Sequence, residues 1–552
     1  MIVARRWAAA LVAVAACASA LAAQDKGKGA KPDSTTCAMN FEKPAELKDA
    51  QNNLVIAQMG KGDAQKKSLA KVVEKLSRRS DYYAPNSVSQ AFLLGQALVL
   101  WSNLPGEPAS VRRGDVGFLG DKDQQINLLK AADSLFTIVE KALPACAEQT
   151  SIYRKSAWAR YINRVGPFIN ADKMDSAQAV LEESMVIYRE SPYTSYFEGQ
   201  IFYRKDDYAK ATASFEKAAA LGAKELASDS NPNLQAITEY SAFFAPYSGA
   251  RAAVTLTGAD QAAGFKHAAT LFTTYLKNFH CGAYAEPAAT GLFEALRNAS
   301  DTAGMRTAFE TMVKEQRPCT DIWWYNAARD ASEAEMNDLA VQLADKAVNY
   351  SPWSAALGNA GGAYWKAKAW TKLEPVALRL TQIAPNMPDN WQMLALSYQG
   401  LNEAATTPPL KKAYSDSLVN AYNTGEKISV KVRVVTFTAD GGKRTIGGTL
   451  ELVDNSPTAP APKPKPKTKP GQAKPAPAPP QPPPPAKLKP RDVALKIEFL
   501  DRAGKVLNVK DSTGTAVPAI TQTFTVKPDE KTDFKFTVQD SKIVGYRYAP
   551  IP

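Results

Sequence analysis

The chain has 552 residues, of which 45% are hydrophobic and 22% are charged. This length excludes a single small domain and predicts several cores or one extended array of repeats. The net charge of +12 does not indicate a nucleic-acid-binding protein, because two of these charges are N-terminal arginines and seven are lysines between positions 463 and 489, which leaves about +3 elsewhere.

Residues 1–22 have the pattern of a secretory signal peptide, with two early arginines, an apolar run and small residues around Ala20-Leu21-Ala22. We therefore expect export, a mature chain that begins near Ala23, and a disordered segment over 23–40. Cys17 follows Val-Ala-Ala and also fits a bacterial lipobox, so a lipid anchor at this residue is the alternative to ordinary cleavage. No later stretch predicts a transmembrane span.

Residues 41–425 alternate helical patterns with short polar breaks, which predicts an α-helical repeat domain. In the stretch 191–223, Gly199 and Phe202 lie in one predicted helix, and Ala211, Phe215 and Ala218 lie in the next. The small residues let the two helices approach closely, and the aromatic residues fill the gap towards the neighbouring pair. This arrangement resembles the tetratricopeptide repeat (TPR) and implies an α-α solenoid.

The same slots recur between 321 and 425, where the steps from Trp324 to Leu357 and on to Trp391 are 33 and 34 residues. The pattern is weaker over 41–150 and 226–320. The remaining residues in repeat slots are Ala328, Ala340, Pro352, Gly361, Tyr364, Pro385, Ala395 and Tyr398.

Four tryptophans of this region, Trp323, Trp353, Trp365 and Trp370, fall outside the repeat slots. Two interpretations are open: they pack between adjacent repeats, or they form an exposed aromatic surface for a peptide or a sugar ring.

If the chain is exported, its cysteines lie in an oxidising compartment and can form two disulfides. Between Cys281 and Cys319 the sequence predicts two helices of similar length, joined near residues 299–301. An antiparallel pair of equal helices returns the chain to its starting point, which favours a Cys281–Cys319 bond. A Cys37–Cys146 bond then follows by elimination.

After residue 425 the hydrophobic period changes from about 3.6 to 2, which predicts about seven short strands over 426–552. We expect a small antiparallel β-sandwich of the immunoglobulin or fibronectin type III kind. Its motifs resemble the FxLYD-like domains of bacterial envelope proteins. They are the segment GGTLELVDNS and the residues Ile497, Phe499, Leu500, Asp501, Gly504, Phe524, Tyr546 and Tyr548.

Residues 455–490 are rich in proline and lysine and interrupt this domain after its second predicted strand. Such a composition predicts disorder. The segment is either a solvated loop without a partner or an arm that contacts anionic envelope polymers or a proline-binding protein.

The sequence offers little for catalysis, since His267 and His280 are its only histidines and no phosphate-binding loop is present. We predict a protein without enzymatic activity, cofactor or metal. A metal bound by His280 and Cys281 with distant ligands, and an enzyme with acidic residues hidden among the repeats, remain alternatives.

The resulting hypothesis is an exported bacterial TPR scaffold that mediates protein–protein interaction in the periplasm or at the cell surface, and that binds no nucleic acid. The alternative is an envelope lipoprotein that binds glycans or nutrients, which an exposed tryptophan surface and a lipidated Cys17 would favour.

Overall fold

The computed structural model describes residues 37–78, 80–228, 230–440, 442–453 and 488–552. The expected signal peptide, Cys17, most of the segment 23–40 and nearly all of the proline-rich segment 455–490 lie outside these residues. Apart from one short hairpin, the described chain is helical up to Glu426 and forms antiparallel strands after it. The predicted fold class, a mainly α helical-repeat protein with C-terminal antiparallel strands, is confirmed.

The chain divides into two compact units between Ser248 and Gly249, inside a long helix. Each unit is therefore described by itself. Within the described residues, none of the helices combines the length and the hydrophobicity that crossing a bilayer demands.

The first unit consists of helix pairs and one small hairpin. Its helices are α1 (Ala45–Met59), α2 (Gly62–Leu76), α3 (Ser87–Ser102), α4 (Arg113–Val116), α5 (Leu128–Ala142), α6 (Ala147–Asn170), α7 (Met174–Met185), α8 (Pro192–Arg204), α9 (Tyr208–Leu226) and most of α10 (Pro232–Val254). Two 3-10 helices span Ser80–Asn86 and Pro144–Cys146, and the hairpin pairs β1 (Ser110–Arg112) with β2 (Gln125–Asn127). The sequence pattern did not predict this hairpin.

The second unit continues with helices and ends in strands. The helices are α11 (Gly258–Asn278), α12 (Ala285–Asn298), α13 (Thr302–Lys314), α14 (Trp323–Glu333), α15 (Asn337–Tyr350), α16 (Leu357–Lys366), α17 (Trp370–Ile383), α18 (Pro388–Ala404) and α19 (Pro408–Glu426).

The turns inside the helix pairs share a backbone signature. In five of these turns one non-glycine residue has a left-handed conformation, with φ between 54° and 61°; these residues are Asp172, Asp206, Ser300, Glu335 and Lys368. Residues other than glycine rarely adopt this backbone conformation. Here the conformation recurs every 33 to 35 residues, from Asp172 to Asp206 and from Ser300 through Glu335 to Lys368. The signature includes the α12–α13 pair, where the sequence pattern was weak, and so identifies that pair as a repeat.

Close helix packing explains why the predicted repeat slots hold small residues. A Cβ atom added to Gly199 of α8 would lie 2.7 Å from the ring of Phe215 in α9. Most of the residues predicted for repeat slots are buried, namely Gly199, Ala211, Phe215, Ala218, Trp324, Ala328, Ala340, Gly361, Tyr364 and Ala395. Phe202, Pro352, Pro385, Trp391 and Tyr398 are half-buried.

Two sheets follow the helices. The first has the strand order β10-β4-β3, built from β3 (Val430–Asp440), β4 (Lys443–Leu452) and β10 (Thr532–Gln539). In the second, β5 (Arg491–Leu500) pairs with β9 (Ala519–Val526) and β6 (Val506–Leu507) and with β11 (Gly545–Tyr548), all antiparallel. A separate short pair, β7 (Val509–Lys510) and β8 (Ala516–Val517), raises the number of C-terminal strands in the described residues to nine.

Aromatic rings join the two sheets. Phe524 of the second sheet lies 6.4 Å from both Phe534 and Phe536 of the first, measured between ring centroids, and Phe437 lies 5.9 Å from Tyr546. Of the two strands before the proline-rich segment, β4 pairs with β10 after it, and β3 pairs with β4. We refer to residues 428–453 and 488–552 together as the β-domain.

Candidate interaction surface

Three loops of the second unit hold the β-domain. Each loop precedes the first helix of a repeat, before α14, α16 and α18, and each carries one residue that contacts the β-domain: Asp321, Trp353 and Asn386. These residues are 32 and 33 positions apart in the sequence. Because the loops repeat at nearly the period of the helices, they present an evenly spaced row of contacts along one edge of the repeats.

The first contact is electrostatic. Arg502 Nε donates to Asp321 Oδ1 over 2.7 Å, and the guanidinium group of Arg502 lies 4.1 Å from the ring centroid of Tyr350. The hydrogen bond to the Asp321 carboxylate raises the pKa of Arg502 above its usual value. Since the Arg502 side chain is 50% exposed, this contact orients the domain more than it stabilises it.

The second contact depends on close approach to a tryptophan. A Cβ atom on Gly504 would collide with the indole ring of Trp353, and one on Gly545 would collide with the Trp353 carbonyl oxygen. The backbone N–H of Ala355 also donates to Val544 O over 3.0 Å. Glycine at 504, where φ is +83°, therefore serves both the turn and the interface.

The third contact is a buried network around Asn386, which is 3% exposed. Its side-chain Nδ2 donates to Val430 O (3.1 Å) and Ile551 O (2.9 Å), and its Oδ1 accepts from the backbone N–H of Ile551 (2.7 Å). Its backbone oxygen accepts from the N–H of Val432 (3.0 Å). One amide side chain thus satisfies three backbone groups of the β-domain.

A groove of about 370 Å³ lies beside this network, between the end of α17 and the strands β5 and β11. Its size falls in the range of small-ligand pockets, which is about 300–1,000 Å³. The lining residues are Thr381, Gln382, Pro385, Lys496, Glu498, Arg547, Tyr548, Ala549 and Pro550.

The groove combines charge with apolar walls. Arg547 Nε donates to Glu498 Oε2 over 2.5 Å, whereas Lys496 has no ion-pair partner among the described residues. Pro385, Ala549 and Pro550 contribute apolar surface. Two cations with one carboxylate give the groove a formal charge of +1, which suits an extended ligand that carries an acidic group.

The exposed tryptophan surface considered from the sequence does not form. Trp323 is 3% exposed and donates its Nε1 to Glu315 Oε2 over 2.8 Å. Trp353 packs on the β-domain, and Trp370 is half-buried against Gly400. Trp365 alone of the four is exposed, at 45%. Packing explains the others: Trp323 is buried, and the indole rings of Trp353 and Trp370 fill the space beside Gly504 and Gly400.

The cysteines form the two pairs that the sequence favours. The Cα atoms are 5.0 Å apart in the Cys281–Cys319 pair and 4.7 Å apart in the Cys37–Cys146 pair. Cys146 is fully buried, whereas Cys281 is exposed beside His280. The Cys281–Cys319 bond also fixes the loop that carries Asp321, two residues further on.

Sequence reasoning missed the groove and the contacts of Asn386. The partners of Asn386 are backbone atoms, 44 and 165 residues away. Every residue has these backbone atoms, so the identity of the partner residues does not predict the contact. The spacing of loops at the repeat period was a usable signal for the row of contacts, because Asp321, Trp353 and Asn386 follow it.

Comparisons with known proteins add no family. No protein-family model and no curated protein matches the chain. The resemblance of the β-domain to FxLYD-like domains therefore still depends on its motifs.

Among solved structures, the human IFIT1 dimer with PPP-AAAA is similar at 10% identity and a TM-score of 0.24, over 69% of this chain and 72% of that one. The human IFIT1 dimer with m7Gppp-AAAA gives 10% identity and a TM-score of 0.26, over 70% and 90%. A circular tandem repeat protein with novel repeat topology gives 10% identity and a TM-score of 0.19, over 69% of this chain and 83% of that one. At these scores the likenesses carry nothing about ligands.

Proposed function

We propose that this chain is a non-catalytic scaffold that binds peptide or protein partners in the bacterial cell envelope after export. The observation that carries the proposal is the groove between α17 and the β5–β11 strands, which offers Lys496 and Arg547 beside apolar walls. Because the three loops fix the β-domain on the repeats, both walls of the groove are already in place before a ligand arrives, and preorganisation of this kind favours binding.

A peptide array tests this proposal. Wild-type protein is expected to bind a subset of immobilised peptides that is enriched in Asp and Glu, and K496E/R547E is expected to lose that subset. The matched control is K510E/K535E, which makes the same charge change at exposed lysines of β7 and β10. Equal binding by wild type and K496E/R547E would place the partner site outside the groove.

Glycan capture by a lipidated form is the competing proposal. Its expected surface of four tryptophans is missing, because Trp365 alone of the four is exposed. An oligosaccharide array distinguishes the two functions, because binding of sugars without binding of peptides would support glycan capture. Mass spectrometry of the mature N-terminus, near Ala23 or at a diacylglyceryl Cys17, addresses the export route separately.

A further inference from the structure

Beside the row of loop contacts, side chains that commonly bind metals converge around the exposed cysteine pair. The ligand atoms of His280, Cys281 and Cys319 all lie within 4.8 Å of one another. Glu315 joins them, since its Oε1 is 3.9 Å from His280 Nδ1. One of the chain's two histidines and one of the two disulfides in the described residues therefore share a single site with a carboxylate.

We propose that the reduced form of this site binds a zinc-like divalent cation through Cys281, Cys319, His280 and Glu315. Thiolate, imidazole and carboxylate are the three ligand types that Zn²⁺ takes in proteins, most often four in a tetrahedron. With metal–ligand bonds of about 2.0–2.3 Å, ligand atoms around one zinc ion are roughly 3.3–3.8 Å apart. The spacing of His280 Nδ1 and Glu315 Oε1 already approaches this value.

The carboxylate is held in place by groups that do not bind the ion. Trp323 Nε1 donates to Glu315 Oε2, which leaves Oε1 facing His280. Lys346 Nζ donates to the backbone oxygen of Glu315 over 2.6 Å. Hydrogen bonds of this kind orient metal ligands and raise affinity. Partial burial of Glu315 raises the pKa of its carboxyl, and a bound cation would favour the ionised form.

In the proposed change of state, the disulfide cross-link is replaced by a cross-link through the bound cation. A dithiol reductant gives two electrons and two protons to the Cys281–Cys319 bond and itself becomes a disulfide. The cation then displaces the two thiol protons and is bound by two thiolates. Both states join the α13–α14 loop to the end of α11, so the loop that carries Asp321 stays fixed in either state.

Cobalt titration of the full mature chain tests this site. Protein reduced with a phosphine, and then freed of it without air, is expected to bind one equivalent of Co²⁺ with thiolate-to-cobalt absorption, and Zn²⁺ should displace it. The disulfide form is expected to show no such absorption. The H280A variant should bind Co²⁺ about tenfold more weakly or worse.

The second cysteine pair supplies the matched control. C37S/C146S is expected to keep the thiolate absorption and C281S/C319S to lose it, with circular dichroism showing that both remain helical. Reduced wild type without thiolate absorption, undiminished absorption in C281S/C319S, or unchanged affinity in H280A would each overturn the proposed site.

Discussion

Two runs of repeats share one sequence signature and use their loops differently. In α6–α9 the loop before α8 packs its aromatic residue against a helix of the same run, since the ring centroid of Tyr188 lies 5.7 Å from that of Trp158 in α6. In α14–α18 the corresponding loops direct Trp353 and Asn386 towards the β-domain. Helix slots and loop positions are therefore independent parts of the repeat: the slots build the core, and the loops determine what the repeats hold.

The largest expected effect follows from removing the amide of the third loop. Asn386→Leu leaves Val430 O and both backbone groups of Ile551 without partners, at roughly 1–3 kcal/mol for each group that stays buried. We expect the interface to lose about 3 kcal/mol or more. Hydrogen exchange at the amides of Val432 and Ile551 measures this loss.

The control for this change is Asn423→Leu on the exposed face of α19, where the same substitution breaks no buried bond. Protection at Val432 and Ile551 that is equal in the two variants would mean that Asn386 does not hold the β-domain.

A glycine pair compares the helix slots of the two runs. Gly199→Ala presses a methyl group onto the buried ring of Phe215, whereas the atom that meets a Cβ at Gly361 is the flexible Met393 thioether, 2.6 Å away. Overpacking costs about 1–3 kcal/mol, and alanine gains about 1 kcal/mol over glycine in a helix. We therefore expect G199A to lower the free energy of unfolding and G361A to leave it nearly unchanged.

Gly358→Ala is the reference substitution, because no atom lies within 4 Å of its added Cβ. Denaturant melts of the three variants should rank G358A as the most stable and G199A as the least. The opposite order would show that the slots of the first run are not closely packed.

The ion pair between Arg502 and Asp321 should contribute less to the stability of the interface. Arg502→Ala removes the hydrogen bond to Asp321 and the stacking on Tyr350, and exposure limits the expected loss to about 1 kcal/mol. A double-mutant cycle with Asp321→Ala isolates the pair, and its coupling energy should fall as salt rises. A coupling that does not change with salt would contradict an exposed ion pair.

The smallest effect concerns the proline-rich segment. Replacing residues 459–487 with a short Gly-Ser connection leaves β4 and β5 intact and shortens the connection between them, which lowers its closure cost by about 0.6 kcal/mol for each halving of its length. The melting temperature should stay within about 2 °C. If the segment is an arm for anionic polymers, the same deletion should abolish salt-sensitive binding to them, and a larger fall in melting temperature would show that it packs on the body.

Local rules predicted much of this molecule. Small residues such as Gly199 and Ala211 revealed the helix pairs, and two equal helices between Cys281 and Cys319 brought those cysteines together. The rules failed for Trp353 and the groove, because their partners lie in strands and turns about 110 to 190 residues later in the sequence. The left-handed turn at Ser300 marked a repeat that side-chain patterns had concealed.

The contact between Asn386 and Ile551 spans 165 residues, and this distance bears on the order of events during biosynthesis. Helix pairs close over short separations and can form while the chain is still emerging, whereas contacts of high sequence separation form late. The β-domain can pack completely on the repeats only after Ile551 has been synthesised and has reached the loop before α18. Until then the surfaces around Trp353 and Asn386 are open to water and to other chains, so a chaperone that meets the growing chain would have these surfaces available to bind.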